Sequence, residues 1–135
     1  GISGTSVSNL TSSAAYPNSP TYSYVLTSLF EAGTDFEDNY GQRARGYFRP
    51  PTTGAYTFYI ASDDNSELWL STTDQAANKV KIASVTSWTS SRQWTKYTSQ
   101  KSAAINLTAG QRYYIEALQK EGGGGDNLAV GVDFP

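Results

Sequence analysis

The chain contains no cysteine, no histidine and no methionine. Without cysteine, disulfides and thiolate metal centres are excluded, and nothing follows about redox compartment. Without histidine, the usual zinc ligand, the commonest general base and every histidine-based triad are missing. Any metal must therefore be held by oxygen, which favours calcium, magnesium or manganese. An excess of charge is also lacking, since the formal net charge is −2. Basic residues are scattered singly apart from Arg43, Arg45 and Arg49, so there is no nucleic-acid footprint. No apolar run approaches membrane-spanning length, and no membrane insertion is expected. No signal peptide is visible, as befits a domain excised from a larger protein.

What is present is Ser, Thr, Tyr and Gly, with few good helix formers in any window. At 135 residues the length suits one domain, 1–135, able to bury a core unaided. Residues 1–20 read as an opening strand and an irregular wrap, with turn chemistry at Asn18-Ser19-Pro20. Tyr22–Phe30 suits a strand or a snug loop, and the acidic stretch from Glu31 to Asn39 a surface loop. From Gln42 to Arg49 the alternation is clear: Ala44, Gly46 and Phe48 share one face, Arg43, Arg45, Tyr47 and Arg49 the other. That arginine stripe is either a solvated strand face or a surface for an anionic glycan. Pro50-Pro51-Thr52-Thr53-Gly54 stops pairing, and Tyr56, Phe58 and Ile60 then mark the second strand of a hairpin. Further strands are expected at Leu68–Leu70, Val80–Ile82, Ile105–Leu107, Arg112–Gln119 and Leu128–Phe134. A short helix is expected near Arg92–Tyr97. Short strands at this spacing predict an all-β fold, an antiparallel β-sandwich with long surface loops.

Two loops carry the chemistry. Gly122-Gly123-Gly124-Gly125 loses backbone entropy and buries nothing, so it suits a place where the backbone must take an unusual path. Glycine carbonyls can turn inward there, and Asp126 or Asn127 adds a side-chain oxygen. The second loop holds Asp63-Asp64, whose side chains in an extended chain would point to opposite faces. A cis peptide between them would let both carboxylates converge on one ion, and calcium accepts such mixed carboxylate and carbonyl ligands. The plain alternatives are a solvated turn at Asp63-Asp64-Asn65 and a flexible tip at the glycines.

Several separated motifs occur in order: Arg45-Gly46-Tyr47-Phe48, Pro51–Phe58, Ser62-Asp63-Asp64, Glu67–Leu70, Ala109–Glu116 and Lys120–Gly131. Together these resemble the PA-fourteen domain, named after anthrax protective antigen and found in yeast flocculins, epithelial adhesins, bacterial adhesins and glycosidases. The resemblance implies a β-sandwich and, as in the adhesin-type lectins, a calcium ion that binds sugar hydroxyls directly. Carried onto this chain, it implies a Ca2+ site at Asp63 and Asp64 with a cis peptide, joined by Gly122, Gly124, Asp126 and Asn127. Sugar contacts are then expected from Asp63, Asp64, Gly123, Gly124, Gly125 and Asp126, with Trp88, Gln93 and Trp94 lining the site. The expected function is a calcium-dependent carbohydrate-binding adhesion module at the cell surface or outside the cell. Its partners are glycans, not nucleic acid, and it acts as a monomeric module in a multidomain chain. The alternative is a spacer domain whose cation only stabilises its loops. Catalysis is not expected, because carboxylates held ionised by a cation cannot serve as the acid of a glycosidase pair.

Overall fold

The computed structural model describes residues 1–135 as two antiparallel sheets packed face to face. The strands are β1 (Tyr40–Phe48), β2 (Gly54–Asp63), β3 (Ser66–Ser71), β4 (Lys79–Val85), β5 (Ile105–Leu107), β6 (Tyr113–Glu121) and β7 (Asn127–Asp133). One sheet has the order β1-β6-β3-β4 and the other β5-β2-β7. The expected all-β sandwich is the observed architecture. No helix is long and apolar enough to cross a membrane.

Period-2 alternation builds the core between the sheets. Tyr56, Phe58 and Ile60 of β2 face Leu68 and Leu70 of β3 and Tyr113, Ile115 and Ala117 of β6, all buried in one cluster with Leu107 and Leu128. Phe48 of β1 packs edge-on against Tyr56 and Phe58, with ring centroids 5.5 and 5.4 Å away. β6 is buried along its whole length because its outer face is covered too. A short helix, α1 (Val7–Thr11), presses Val7 and Leu10 onto Leu118.

Four expectations are corrected here. β1 and β2 do not form a hairpin: β1 pairs with β6, Phe48 opposite Tyr113, while β2 pairs with β5 and β7 in the other sheet. Alternation defines which face a residue occupies but not its partner strand, and the two prolines carry the chain across the sandwich. The N-terminal segment holds α1 instead of a strand, capped where Ser6 Oγ donates to Asn9 Oδ1 at 2.7 Å. Residues 92–97 are turns, and the single helical turn nearby is Thr98–Gln100. β2 also runs on to Asp63, so the first acidic residue is the end of a strand and the loop is only Asp64-Asn65. Tyr22–Phe30, left open between strand and loop, is a loop.

The links that matter both cross between sheets at the same end. Asp64-Asn65 takes the chain from β2 to β3, and Gly122–Asp126 takes it from β6 to β7. Because Asp63 pairs with Asn127 and Ser66 pairs with Gln119, the strand ends flanking the two links are neighbours. At that end the inward rows turn polar. Ser62, Ser66, Gln119 and Glu121 continue the phase of the apolar core residues and are all buried.

Candidate functional site

Asp63, Asp64 and Glu121 form one cluster, with a carboxylate oxygen from each lying within 4.8 Å of the others. The Asp63-Asp64 peptide is cis, the isomer the resemblance implied. Ser62 Oγ donates to the Asp64 carbonyl at 2.7 Å, and the Gly122 amide donates to Asp64 Oδ2 at 2.9 Å. The backbone carbonyl of Asp63 accepts from the Gln119 side-chain amide. The Lys120 amide donates to the Asn65 carbonyl at 2.9 Å. These bonds place the Asp-Asp turn against the end of β6 and the first glycine.

On the other side, the stretch 31–39 wraps the glycine link. The Phe36 and Glu37 amides donate to Asp126 Oδ2 at 2.8 and 3.1 Å. Asp35 N donates to the Asp126 carbonyl at 3.0 Å and Asn39 N to the Gly122 carbonyl at 2.6 Å. The Gly124 amide donates to Asp38 Oδ1 at 3.1 Å. Asn127 Nδ2 reaches the Thr89 carbonyl at 3.0 Å. Three of the four glycines are constrained: a Cβ on Gly125 would lie 2.9 Å from Asp35 Oδ1. Gly124 has φ +95°, and a Cβ on Gly122 would lie 2.9 Å from Thr5 Cγ2 and 3.3 Å from Asp64 Oδ2. The tip itself, Gly123 to Gly125, is exposed.

The buried oxygens carry the sharpest signal. Glu121 Oε1 and Oε2, Asp126 Oδ1 and Asn127 Oδ1 are buried and have no hydrogen-bond partner. All are acceptors, all flank the glycine link, and no donor balances them. A buried acceptor without a partner costs about 1–3 kcal/mol, and more when charged. Charge follows the same pattern. Burial, then the Asp64, Asp63 and Asp126 carboxylates, push the Glu121 carboxyl from its ordinary 4.5 up to about 7. Burial and the Asp64 carboxylate likewise raise Asp63 from 3.8 to about 6. The buried ammonium of Lys120 donates to the Gly4 carbonyl at 2.7 Å and the Glu121 carbonyl at 2.6 Å, and hydrogen-bonds none of the cluster's carboxylate oxygens. An anion-rich cluster whose Glu121, Asp126 and Asn127 oxygens lack donors matches what an oxygen-seeking divalent cation requires.

The aromatic candidates divide. Trp88 bridges to Asp63 through the backbone and is 48 % exposed beside it. Its indole is covered on one side by Lys96, whose Nζ lies 3.5 Å from the ring centroid and donates to the Trp88 carbonyl at 3.0 Å. The Gln93 side chain closes its own turn, Oε1 accepting from the Ser90 amide at 3.0 Å. Trp94 lies on the outer face of the three-stranded sheet, 6.4 Å from the Tyr59 ring and in contact distance of Gly131. Arg43, Arg45 and Arg49 form no carboxylate pair; Arg43 stands over the Tyr16 ring at 5.6 Å.

Glu121 is the residue that sequence reasoning passed over. Its signal is its phase. Tyr113, Ile115 and Ala117 point into the core, and two more steps of two along β6 lead to Gln119 and Glu121. The acidic stretch 31–39 was read as a surface loop, with no hint that its amides hold Asp126.

Comparison with known proteins agrees with this architecture. Residues 18–132 match the PA14 domain family. A segment of 98 residues, 69 % of the chain, is 41 % identical to N-acetyl-beta-glucosaminyl-glycoprotein 4-beta-N-acetylgalactosaminyltransferase 1 of Mus musculus, covering 10 % of that protein. Fibrocystin-L of Mus musculus is 33 % identical over 85 residues, 63 % of this chain and 2 % of that protein. The chain thus spans a tenth or less of the length of these curated relatives. Among solved structures it shares its fold with the A domain of epithelial adhesin 6 from Candida glabrata, crystallised in complex with Galb1-3GlcNAc. The TM-score is 0.51 and the identity 19 %, covering 70 % of this chain and 43 % of the other. With the match running from the loop before β1 to the end of β7 and the fold shared, the chain belongs to the PA14 domain family.

Proposed function

We propose that this domain binds carbohydrate through a calcium ion held at the end of the sandwich where the two links cross. Asp63, Asp64 and Glu121 would hold the ion from one wall. From the glycine link, Asp126, Asn127 and carbonyls such as those of Gly122 and Gly124 would hold it from the other. The observation that carries the reading is the set of buried, partnerless oxygens on Glu121, Asp126 and Asn127. When bound, calcium supplies positive charge to these oxygens and open coordination positions for vicinal sugar hydroxyls. The exposed tip Gly123–Gly125, which follows Glu121 in the chain, and Trp88, bridged to Asp63 through the backbone, would supply a backbone rim and an aromatic face for the sugar. The glycan complex of the adhesin domain that shares this fold agrees with the reading.

The domain itself is read as non-catalytic, a binding module of a larger secreted or surface protein. The test is a glycan array run with millimolar calcium and repeated in chelator. Calcium-dependent binding that disappears in Asp63→Ala/Asp64→Ala supports the proposal. A calcium-dependent melting temperature with a silent array would instead identify a spacer domain whose cation only stabilises its loops. Turnover of a chromogenic glycoside by the isolated domain would overturn the non-catalytic reading.

A further inference from the structure

Beneath the proposed cation site, the inward faces of β1 and β6 carry a polar layer that the binding function does not by itself explain. Tyr40 pairs with Glu121 across the strands, and Gln42 pairs with Gln119. Gln119 is fully buried between the core residue Ala117 and Glu121. Its side-chain amide donates to the Asp63 carbonyl, and its Oε1 accepts from Gln42 Nε2 at 2.6 Å. Gln42 Nε2 also faces the Tyr40 hydroxyl at 3.4 Å.

The amide orientations follow from chemistry. The Asp63 carbonyl can only accept, so it must meet the NH2 end of Gln119. That leaves Oε1 for a donor, which Gln42 supplies through its own NH2 group. The Gln42 NH2 then has a second proton for the Tyr40 oxygen. A glutamine between Ala117 and Glu121 in a core row would be destabilising without such a set of partners.

We propose that Gln119, oriented by Gln42, is a positioning residue for the cation site, and that the two glutamines form a relay from β1 to the Asp63-Asp64 turn. One end of the relay fixes the Asp63-Asp64 turn through the Asp63 carbonyl. The other is Gln42 of β1, whose Nε2 holds the Gln119 oxygen. Removing a link leaves the ligands present but no longer held in the geometry that one ion requires. Groups that orient metal ligands in this way affect affinity by about 10–100-fold. The inference rests on the reading that the cluster binds calcium.

The experiment is calcium titration of the whole domain by calorimetry, paired with melting of the same samples in chelator. Gln119→Met keeps the volume and removes both hydrogen bonds, while Gln42→Met leaves Gln119 in place and removes its orienting donor. Both variants are expected to weaken calcium binding by about 10–100-fold, with a smaller effect for Gln42→Met. The double variant is expected to bind no more weakly than Gln119→Met alone, because one relay cannot be broken twice. Variants that melt lower in chelator yet bind calcium with wild-type affinity would overturn the relay alone and leave the calcium reading standing. Additive losses in the double variant would overturn the coupling. A wild-type domain that takes up no calcium would overturn both the relay and the function on which it rests. If Gln119→Met fails to fold, Gln42→Met decides: unchanged affinity overturns the relay.

Discussion

Glu121 makes the cation-free domain an unusual subject for acid titration. Its carboxylate is fully buried, has no donor and faces the Asp64, Asp63 and Asp126 charges. The folded-state value of about 7 lies above the ordinary 4.5, so between those values the native state binds more protons than the unfolded chain. Stability must therefore rise as pH falls through about 7 towards 4.5, and be lowest above 7. Asp63, raised from 3.8 to about 6, acts in the same direction. The gap at Glu121 alone corresponds to about 3 kcal/mol at roughly 1.4 kcal/mol per pH unit. For a domain of this size that is a change in melting temperature on the order of 10 °C. Carboxylates whose pairing lowers their values, such as Asp74 beside Gln75 and Arg112, lose stability only below their ordinary range and leave the window from pH 5 to 8 clear. Calorimetric melts in chelator at pH 5, 6, 7 and 8 measure the slope. Glu121→Gln should melt higher than wild type at pH 8 and keep only the shallower slope that Asp63 contributes. A wild-type melting temperature that is flat or rises with pH over this window refutes the reasoning, as does a Glu121→Gln variant that keeps the full slope.

With calcium present, the sign of that pH dependence should reverse, because protons and the ion compete for the same oxygens; calcium titrations at pH 5.5 and 7.5 read this as much weaker binding in acid. Gly122→Ala places a methyl 2.9 Å from Thr5 Cγ2 and 3.3 Å from Asp64 Oδ2, and is expected to lower both melting temperature and calcium affinity. Gly123→Ala meets nothing within 4 Å and should change neither, and this pair of melts separates local packing from general loop stiffening. Asp63→Asn/Asp64→Asn should melt at or above wild type in chelator yet gain nothing from added calcium. Leu68→Ala, in the middle of the inter-sheet core, is expected to cost about 2–5 kcal/mol in urea unfolding with or without calcium.

Much of the fold was legible because alternation is a direct signature of a half-buried strand. Tyr56, Phe58 and Ile60 were assigned to one face and lie in the core together. Partnership was not legible, since nothing in Gln42–Arg49 distinguishes a hairpin neighbour from β6, some seventy residues later. At the site, Asp63-Asp64 and the glycine link stood out as oxygen-rich loops. Glu121 did not, because a glutamate at the end of a strand is ordinarily a solvated one. Its burial depends on Gln119 and the polar end of the core, which no local pattern announces. The N-terminal helix was missed for a related reason: five residues are too short for helical periodicity, and α1 gains its place by covering Leu118.

The glycine link also divides cleanly into anchors and tip. Glu121 and Gly122 are fixed by strand pairing and by packing against Thr5 and Asp64, while Asp126 is fixed by the amides of residues 36 and 37. Between them Gly123 meets nothing, and Gly124 is constrained by its backbone angle more than by neighbours. Side chains placed at position 123 would thus redraw the rim of the site while the groups beneath it kept their geometry. The domain is built as a mount with a single open fitting, and Gly123 is its blank.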